Sequence, residues 1–249
     1  MDRPAFSVII PAYNEEKLLG STLEAVQSAT LLFQSQNPGS VQVLVVDNNS
    51  TDRTKEIAQS HGAAVLFEEK RQIARARNKG GEEAAGEVFI FCDADTRLHP
   101  ETLLKIHELM KNPGILGGGI AFVPDEETSF SRCAMLLWNA VSRTLSISGG
   151  MVFARAQAFR RIQGFPEKLY VGEEVAFQMR LKAHAFKGGG RTVLLRDCPA
   201  VTSNRKFREH KPWAYLWAIL LCVIFPWRAT RRESCGLWYD VRNGSPPKI

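Results

Sequence analysis

Cysteine is scarce in this chain. Its five copies among 249 residues (Cys92, Cys133, Cys198, Cys222 and Cys235) are odd in number and scattered, and no two have CxxC spacing. That argues against a disulfide framework and against a thiolate zinc site, and for reduced thiols. Long apolar runs are also missing: Pro212–Trp227 is the longest, and its roughly 15 residues fall short of the roughly 20 a helix needs to span a bilayer. "MDRPA" leads almost directly into a strand-like run, with no basic region followed by an apolar one, so no signal peptide is expected and the expected location is cytoplasmic. No GxGxxG follows a strand, and "FKGGGRT" (Phe186–Thr192) lacks the Gly-Lys-Ser/Thr ending of a phosphate loop, which argues against a dinucleotide cofactor. There is no internal repeat and no low-complexity segment.

What is present is ordinary globular composition, 45% hydrophobic and 23% charged. The net charge of +6 is local: between Arg205 and Arg232 seven basic residues face one acid, Glu209, so the remainder of the chain is neutral. A neutral body with one basic segment does not suit a nucleic-acid-binding domain, and no nucleic-acid partner is expected.

Apolar and helical patterns alternate. "FSVIIPAYN", "VQVLVVD", "AAVLFEE" and "EVFIFCDAD" read as strands, and the continuous apolar runs suit strands covered on both faces. Between them, helices are expected from Glu15 to about Gln34, after a Ser50 or Thr51 cap as far as Gly62, and over Ile73–Ala85; "HPETLLKIHELMKN" comes next, with proline in its first turn. Four such alternations predict right-handed βαβ units and an α/β fold with a mostly parallel sheet. Ligands in such folds bind beyond the carboxyl ends of the strands, where Tyr13-Asn14-Glu15, Asp47-Asn48-Asn49 and Asp93-Ala94-Asp95 fall. The glycine runs at 117–119 and 149–150 break the rhythm, and a helix is expected between them, about Thr128 to Leu145. Residues 116–205 therefore read as less regular structure.

Asp93 and Asp95 end a buried strand on two like charges, a costly arrangement without a cation. In extended backbone, residues two apart point the same way, about 6.5–7 Å between Cα atoms. A hard Mg²⁺ or Mn²⁺ between their oxygens and a diphosphate would remove the repulsion. The plainer alternative is a strand-to-loop turn with Asp95 capping the next segment.

"SVIIPAYNEE", "VLVVDNNSTDRT", "ARARNKGGEEAAGEVFIFCDADT" and "GEEVAFQMRLKAH", in that order, resemble family 2 glycosyltransferases of the GT-A fold across about residues 5–200. The resemblance implies a nucleotide-diphosphate sugar, UDP- or GDP-linked, at the strand ends, a divalent metal on its phosphates, and transfer with inversion. It implies that Pro11, Tyr13 and Glu15 contact the nucleotide, that Asp47 hydrogen-bonds the base beside Asn48, and that Arg77 of "ARN" lies next to the nucleotide. It makes Asp93, with Ala94 beside it, the ribose- and metal-side carboxylate, and Asp95 the direct metal ligand. An inverting transfer also needs a base for the acceptor's proton. The family draws it from a Glu-Asp pair opening a helix, which here is Glu173-Glu174. Position favours Glu174, with Glu173 left to bind acceptor hydroxyls; acids favoured by a helix dipole are the plain alternative. Arg180 is placed to pair with an acid on the same helix, and His210 is a weaker candidate metal ligand.

The chain accordingly divides into a nucleotide-sugar-binding half (1–115), an acceptor-binding half of the same domain (116–204) and a basic, apolar C-terminal segment (205–249), expected to be helical. In that segment Trp213, Trp217 and Trp227 flank the apolar run and basic residues lie on both sides, the pattern of an interfacial membrane segment. That places the protein at the inner face of the membrane with a lipid-linked acceptor; packing on the body or on a partner is the alternative. A nucleotidyltransferase and a non-catalytic nucleotide-sugar-binding protein are the rival functions. "PAYNEEK" does not supply the glycine- and lysine-rich loop of the first, and the acid pairs speak against the second.

Overall fold

The computed structural model describes residues 3–126, 138, 142, 144–205, 226–235 and 239. Strand β1 (Phe6–Ala12) is buried at every position but Pro11, as its unbroken apolar run requires. It pairs in parallel with β2 (Val41–Asp47) on one side and β4 (Val88–Phe91) on the other, and β3 (Ala64–Phe67) extends the sheet beyond β2. Beyond β4 lie β7 (Val152–Arg155), β6 (Ile115–Pro124), β8 (Arg191–Thr202) and the short β5 (Thr96–Arg97), giving one eight-stranded sheet in the order β3-β2-β1-β4-β7-β6-β8-β5. The β7 strand runs antiparallel to both its neighbours, and β6 and β8 are parallel.

Helices cover the faces: α1 (Leu19–Gln36), α2 (Thr54–Ser60), α3 (Ile73–Glu83), α4 (Thr102–Met110), α5 (Ala156–Arg161) and α6 (Glu173–Lys187). Helix α1 buries Leu19, Leu23, Val26, Ala29 and Phe33, one stripe at helical spacing. It begins four residues later than expected. Asn14 takes a left-handed φ of 50°, and the Glu15 and Glu16 amides, which would have opened a helix, donate instead to Thr54 Oγ1 at 2.8 Å and Asp52 Oδ2 at 3.0 Å. Helix α2 likewise starts at Thr54, because Ser50 Oγ and the Thr51 amide bond to Asn14. Asp52 does the capping, accepting from the Thr54 amide at 3.0 Å.

Helix α3 lies unusually close to the sheet. A Cβ on Gly80 would strike Ile9, and one on Gly81 would enter the Phe159 ring. The 117–119 glycines do not interrupt the structure as expected. They sit inside β6, where a Cβ on Gly118 would overlap the Val193 carbonyl, so the absent side chains let β6 and β8 approach. Strands β6, β7 and β8 thus complete the same sheet. Of the helix expected from Thr128 to Leu145, residues 138, 142, 144 and 145 are described and helical, and the rest lies outside the described residues. So do His210, most of 212–227, and most of the C-terminal segment; its described part holds two 3₁₀ turns, Pro226–Thr230 and Arg232–Cys235. Among the described residues no helix is long and apolar enough to cross a membrane.

Candidate active site

The register of the sheet brings the polar clusters together. Ala12 lies opposite Asp47 and Ile9 opposite Phe91, so the chains leaving β1, β2 and β4 emerge at one edge. Asp47 is buried and its Oδ1 accepts from the Ser50 amide at 3.0 Å. Asn48 takes the Gln72 amide on Oδ1 and donates Nδ2 to the Glu68 and Lys70 carbonyls, fixing the entry to α3. Tyr13 is half-buried, and the Arg71 guanidinium lies 3.7 Å from its ring centroid, a cation–π contact that sequence reasoning did not anticipate. Pro11 is half-buried in β1.

The Asp93–Asp95 stretch is not extended. Strand β4 ends at Phe91, and the Thr96 amide closes a turn on the Asp93 carbonyl at 3.1 Å. The two carboxylates therefore do not share a strand face, and each meets its own arginine. Asp93 Oδ1 accepts from Arg77 Nη2 at 2.8 Å. Asp95 Oδ2 lies 3.8 Å from Arg205 Nη2. Ala94, between them, is buried and its carbonyl accepts from Thr22 Oγ1 at 2.9 Å. Glu15 is 1% exposed and both its oxygens accept from the Arg205 guanidinium at 2.9 Å.

Arg77 is the centre of the site. It is 3% exposed. Besides Asp93 it donates Nη1 to Glu173 Oε1 at 2.9 Å, and the same nitrogen lies 4.0 Å from Glu174 Oε2. Its guanidinium sits over the Phe165 ring at 5.2 Å, and Phe165 stacks on Phe177 with centroids 4.2 Å apart. Burial works against the charge on Arg77, but Asp93, Glu173 and Glu174 outweigh it and its pKa lies above the ordinary arginine value. Glu173 is pushed the other way for a carboxyl: burial first, then the Glu174 charge, raise it to about 8 against the pull of Arg77. The Glu174 side chain is the more open, 19% exposed against 5% for Glu173. Gly172, with φ of 75°, turns the chain into α6 so that both acids stand in its first turn.

Among the described residues Arg180 pairs with no acid. It donates to the carbonyls of Ile162 and Gly164, because one further turn along α6 carries it past the acids to the end of α5. Asp93 is the more open of the two strand-end acids: the Asp95 side chain is 7% exposed beside Arg205, and its Oδ1 accepts from Thr96 Oγ1 at 3.4 Å. Asp93 commits Oδ1 to Arg77, its side chain is 35% exposed, and Gly150 adds no bulk beside Oδ2, where a Cβ would come within 3.7 Å. Among the described residues no group of three or more His, Cys, Asp or Glu could hold a metal. A cation here would rely on two carboxylates, with phosphate and water completing its shell, as Mg²⁺ and Mn²⁺ accept.

Sequence reasoning missed Arg205, Arg71 and Gln72. Gln72 is fully buried and its Nε2 donates to the Glu167 and Leu169 carbonyls at 2.5 and 3.1 Å. No local pattern ties residue 72 to 169 or 15 to 205; only the closed sheet does.

The family model described as glycosyl transferase family 2 matches residues 7–162. Glycosyltransferase AglE of Haloferax volcanii is 31% identical over 190 residues, 71% of this chain and 61% of AglE. The crystal structure of S. aureus TarS 1–349 in complex with UDP-GlcNAc aligns with a TM-score of 0.63 at 22% identity, covering 88% of this chain and 65% of that one. The mannosyltransferase PcManGT from Pyrobaculum calidifontis, in complex with GDP-Man and Mn²⁺, aligns with a TM-score of 0.64 at 19% identity, covering 99% of this chain and 67% of that one. The two structures share the fold of this chain. The chain spans between 29% and 61% of the length of the first curated relatives it matches.

Proposed function

The chain belongs to glycosyl transferase family 2, and from that premise we propose that it is an inverting glycosyltransferase, moving a sugar from a UDP- or GDP-sugar to an acceptor hydroxyl. The observation that carries this reading is the set of three acids from two distant segments, Asp93, Glu173 and Glu174, gathered on Arg77 at the strand ends. A binding protein needs donor contacts only; a transferase also needs an acid at the acceptor side. The relatives point the same way, since TarS and PcManGT are described with UDP-GlcNAc and GDP-Man.

In this reading residues 1–115 bind the nucleotide sugar, 116–204 the acceptor, and 205–249 form the C-terminal segment. Pro11, Tyr13 and Asp47 line the nucleotide side with Arg71. Asp95 and Asp93 would hold a Mg²⁺ or Mn²⁺ ion, which when bound neutralises the charge of the departing diphosphate. Glu174 takes the proton from the acceptor hydroxyl as its oxygen attacks the anomeric carbon. Arg77 holds Glu173 and Asp93 at fixed separation, so that base side and donor side keep one geometry. Glu15 is left a supporting role through Arg205. The apolar run 212–227, with its tryptophans and basic flanks, is the membrane contact, and the acceptor is then lipid-linked. The protein then works at the cytoplasmic face of the membrane.

Calorimetric titration of UDP- and GDP-sugars with and without Mn²⁺ tests donor class and metal together. Binding of one class, strengthened by Mn²⁺ in the native chain but not in Asp95→Ala, is expected. Metal-independent binding, or Mn²⁺ dependence retained in Asp95→Ala, would refute the metal assignment. Binding without turnover on any acceptor would favour the non-catalytic alternative. Flotation with anionic liposomes tests the membrane contact: intact chain floating and a chain truncated at Arg205 sinking is expected.

A further inference from the structure

Described parts of the C-terminal segment, residues 226–235 and 239, lie against the starts of α3 and α6. Tyr239 is 3% exposed. Its hydroxyl accepts from the Ile73 amide at 3.4 Å, the first residue of α3, one turn before Arg77. Its ring packs edge-on against Tyr170 with centroids 5.6 Å apart, three residues before Glu173. The same loop is held a second time, as the Tyr170 amide donates to the Ala229 carbonyl at 2.7 Å. Arg232 lies over the Tyr239 ring, 6.0 Å from its centroid. One phenol thus touches both segments that carry the central ion pair, and it comes from outside residues 7–162, where the family pattern lies.

The chemistry of the pair explains what such a plug does. Arg77 and Glu173 are both almost wholly buried, and a buried pair keeps its strength only while its geometry is fixed and water is excluded. Arg77 reaches Glu173 from α3, and Glu173 stands at the mouth of α6, so a slip of either segment opens the 2.9 Å contact. Gln72 and Asn78 already bridge α3 to residues 165–169, but both do so through polar groups. Tyr239 adds the apolar surface. Its phenol lies near enough to the pair that burial and the Glu173 charge push it above the ordinary tyrosine range.

We propose that Tyr239 is a positioning residue of the transferase site: it holds the start of α3 against the loop before Glu173 and keeps the Arg77–Glu173 pair closed to water. This rests on the transferase reading for its consequence in turnover, not for its structural core. The groups facing Glu173 are Arg77, Glu174, Asp93 and Tyr239.

The test uses the full chain as native, Tyr239→Phe and Tyr239→Ala, with Glu173→Gln to assign its signal in carboxyl-labelled protein. The first readout is the titration midpoint of Glu173 by ¹³C NMR, which needs no substrate. The second is kcat and the donor Kd. For Tyr239→Ala the midpoint is expected to fall by at least one pH unit, kcat at least tenfold, and donor Kd to stay within about threefold. Tyr239→Phe keeps the ring against Tyr170 but loses the hydroxyl that meets the Ile73 amide, and is expected to fall between native and Tyr239→Ala in midpoint and kcat. If Tyr239→Ala does not fold, Tyr239→Gln, which brings a hydrated amide to the same place, is read for the same shift. A lowered melting temperature with an unmoved Glu173 midpoint would overturn the proposal, leaving Tyr239 a packing residue. A chain with no turnover on any donor would defeat the transferase reading, while the titration would still decide the role of Tyr239.

Discussion

Arg77 Nη1 lies 2.9 Å from Glu173 Oε1 across 96 residues of chain, with its other terminal nitrogen 2.8 Å from Asp93. One planar guanidinium thus spans the two halves of the site, a task a point-charge ammonium cannot do. Arg77→Lys is expected to keep the fold and lose one of the two contacts, with kcat falling about tenfold to a hundredfold for one charge-assisted hydrogen bond of about 1.5–3 kcal/mol. Arg77→Met removes the cation from three acids and is expected to cost about 3–5 kcal/mol of stability, read by urea unfolding.

Glu173 gives the fold a pH dependence of definite sign. Its carboxyl is raised from 4.5 to about 8 in the folded chain, so the native state binds a proton that the unfolded chain has released between those values. Its contribution to stability is full below about pH 4.5 and is lost as pH rises through about 8. Glu173→Gln, neutral throughout, is expected to flatten that decline. Melting temperatures of both chains from pH 5 to 9 read it; parallel curves would show that Glu173 titrates as an ordinary carboxylate.

The parallel β1–β4 half was legible in the sequence because its apolar runs are short, continuous and evenly spaced. The acids at its strand ends were legible for the same reason. What misled was local pattern overridden by tertiary contact. Asp93 and Asp95 looked like one strand face, but the turn closed by Thr96 sends them to different arginines. The glycines of 117–119 looked like a break and are a close strand contact. Glu15 is paired with Arg205, 190 residues away, a pairing no spacing encodes.

The Glu15–Arg205 clamp predicts an asymmetric response. Glu15 is 1% exposed, so Arg205→Gln leaves a buried carboxylate without its bidentate partner and is expected to destabilise the chain by about 3–5 kcal/mol. Glu15→Gln,Arg205→Gln together should cost less than Arg205→Gln alone, because no charge is then stranded. A double-mutant cycle by urea unfolding reads the coupling. Strictly additive losses would mean the two side chains do not act as a unit.

Glu174 carries the sharpest prediction about the chemistry. Its side chain is the more open of the pair and lies 4.0 Å from Arg77, whereas that of Glu173 is held at 2.9 Å. Glu173 is buried and bonded to Arg77, so of the two acids Glu174 is the more accessible to an acceptor. Glu174→Gln keeps the shape and removes the base, so kcat is expected to fall about a hundredfold to ten-thousandfold with donor Kd unchanged. Glu174→Asp restores a carboxylate one methylene shorter, the residue the family more often carries, and should recover at least tenfold over Glu174→Gln. Transfer kinetics at saturating donor separate the two acids. If Glu173→Gln abolished transfer while Glu174→Gln left it within threefold of native, the roles would be exchanged, and Arg77 would be holding the base itself.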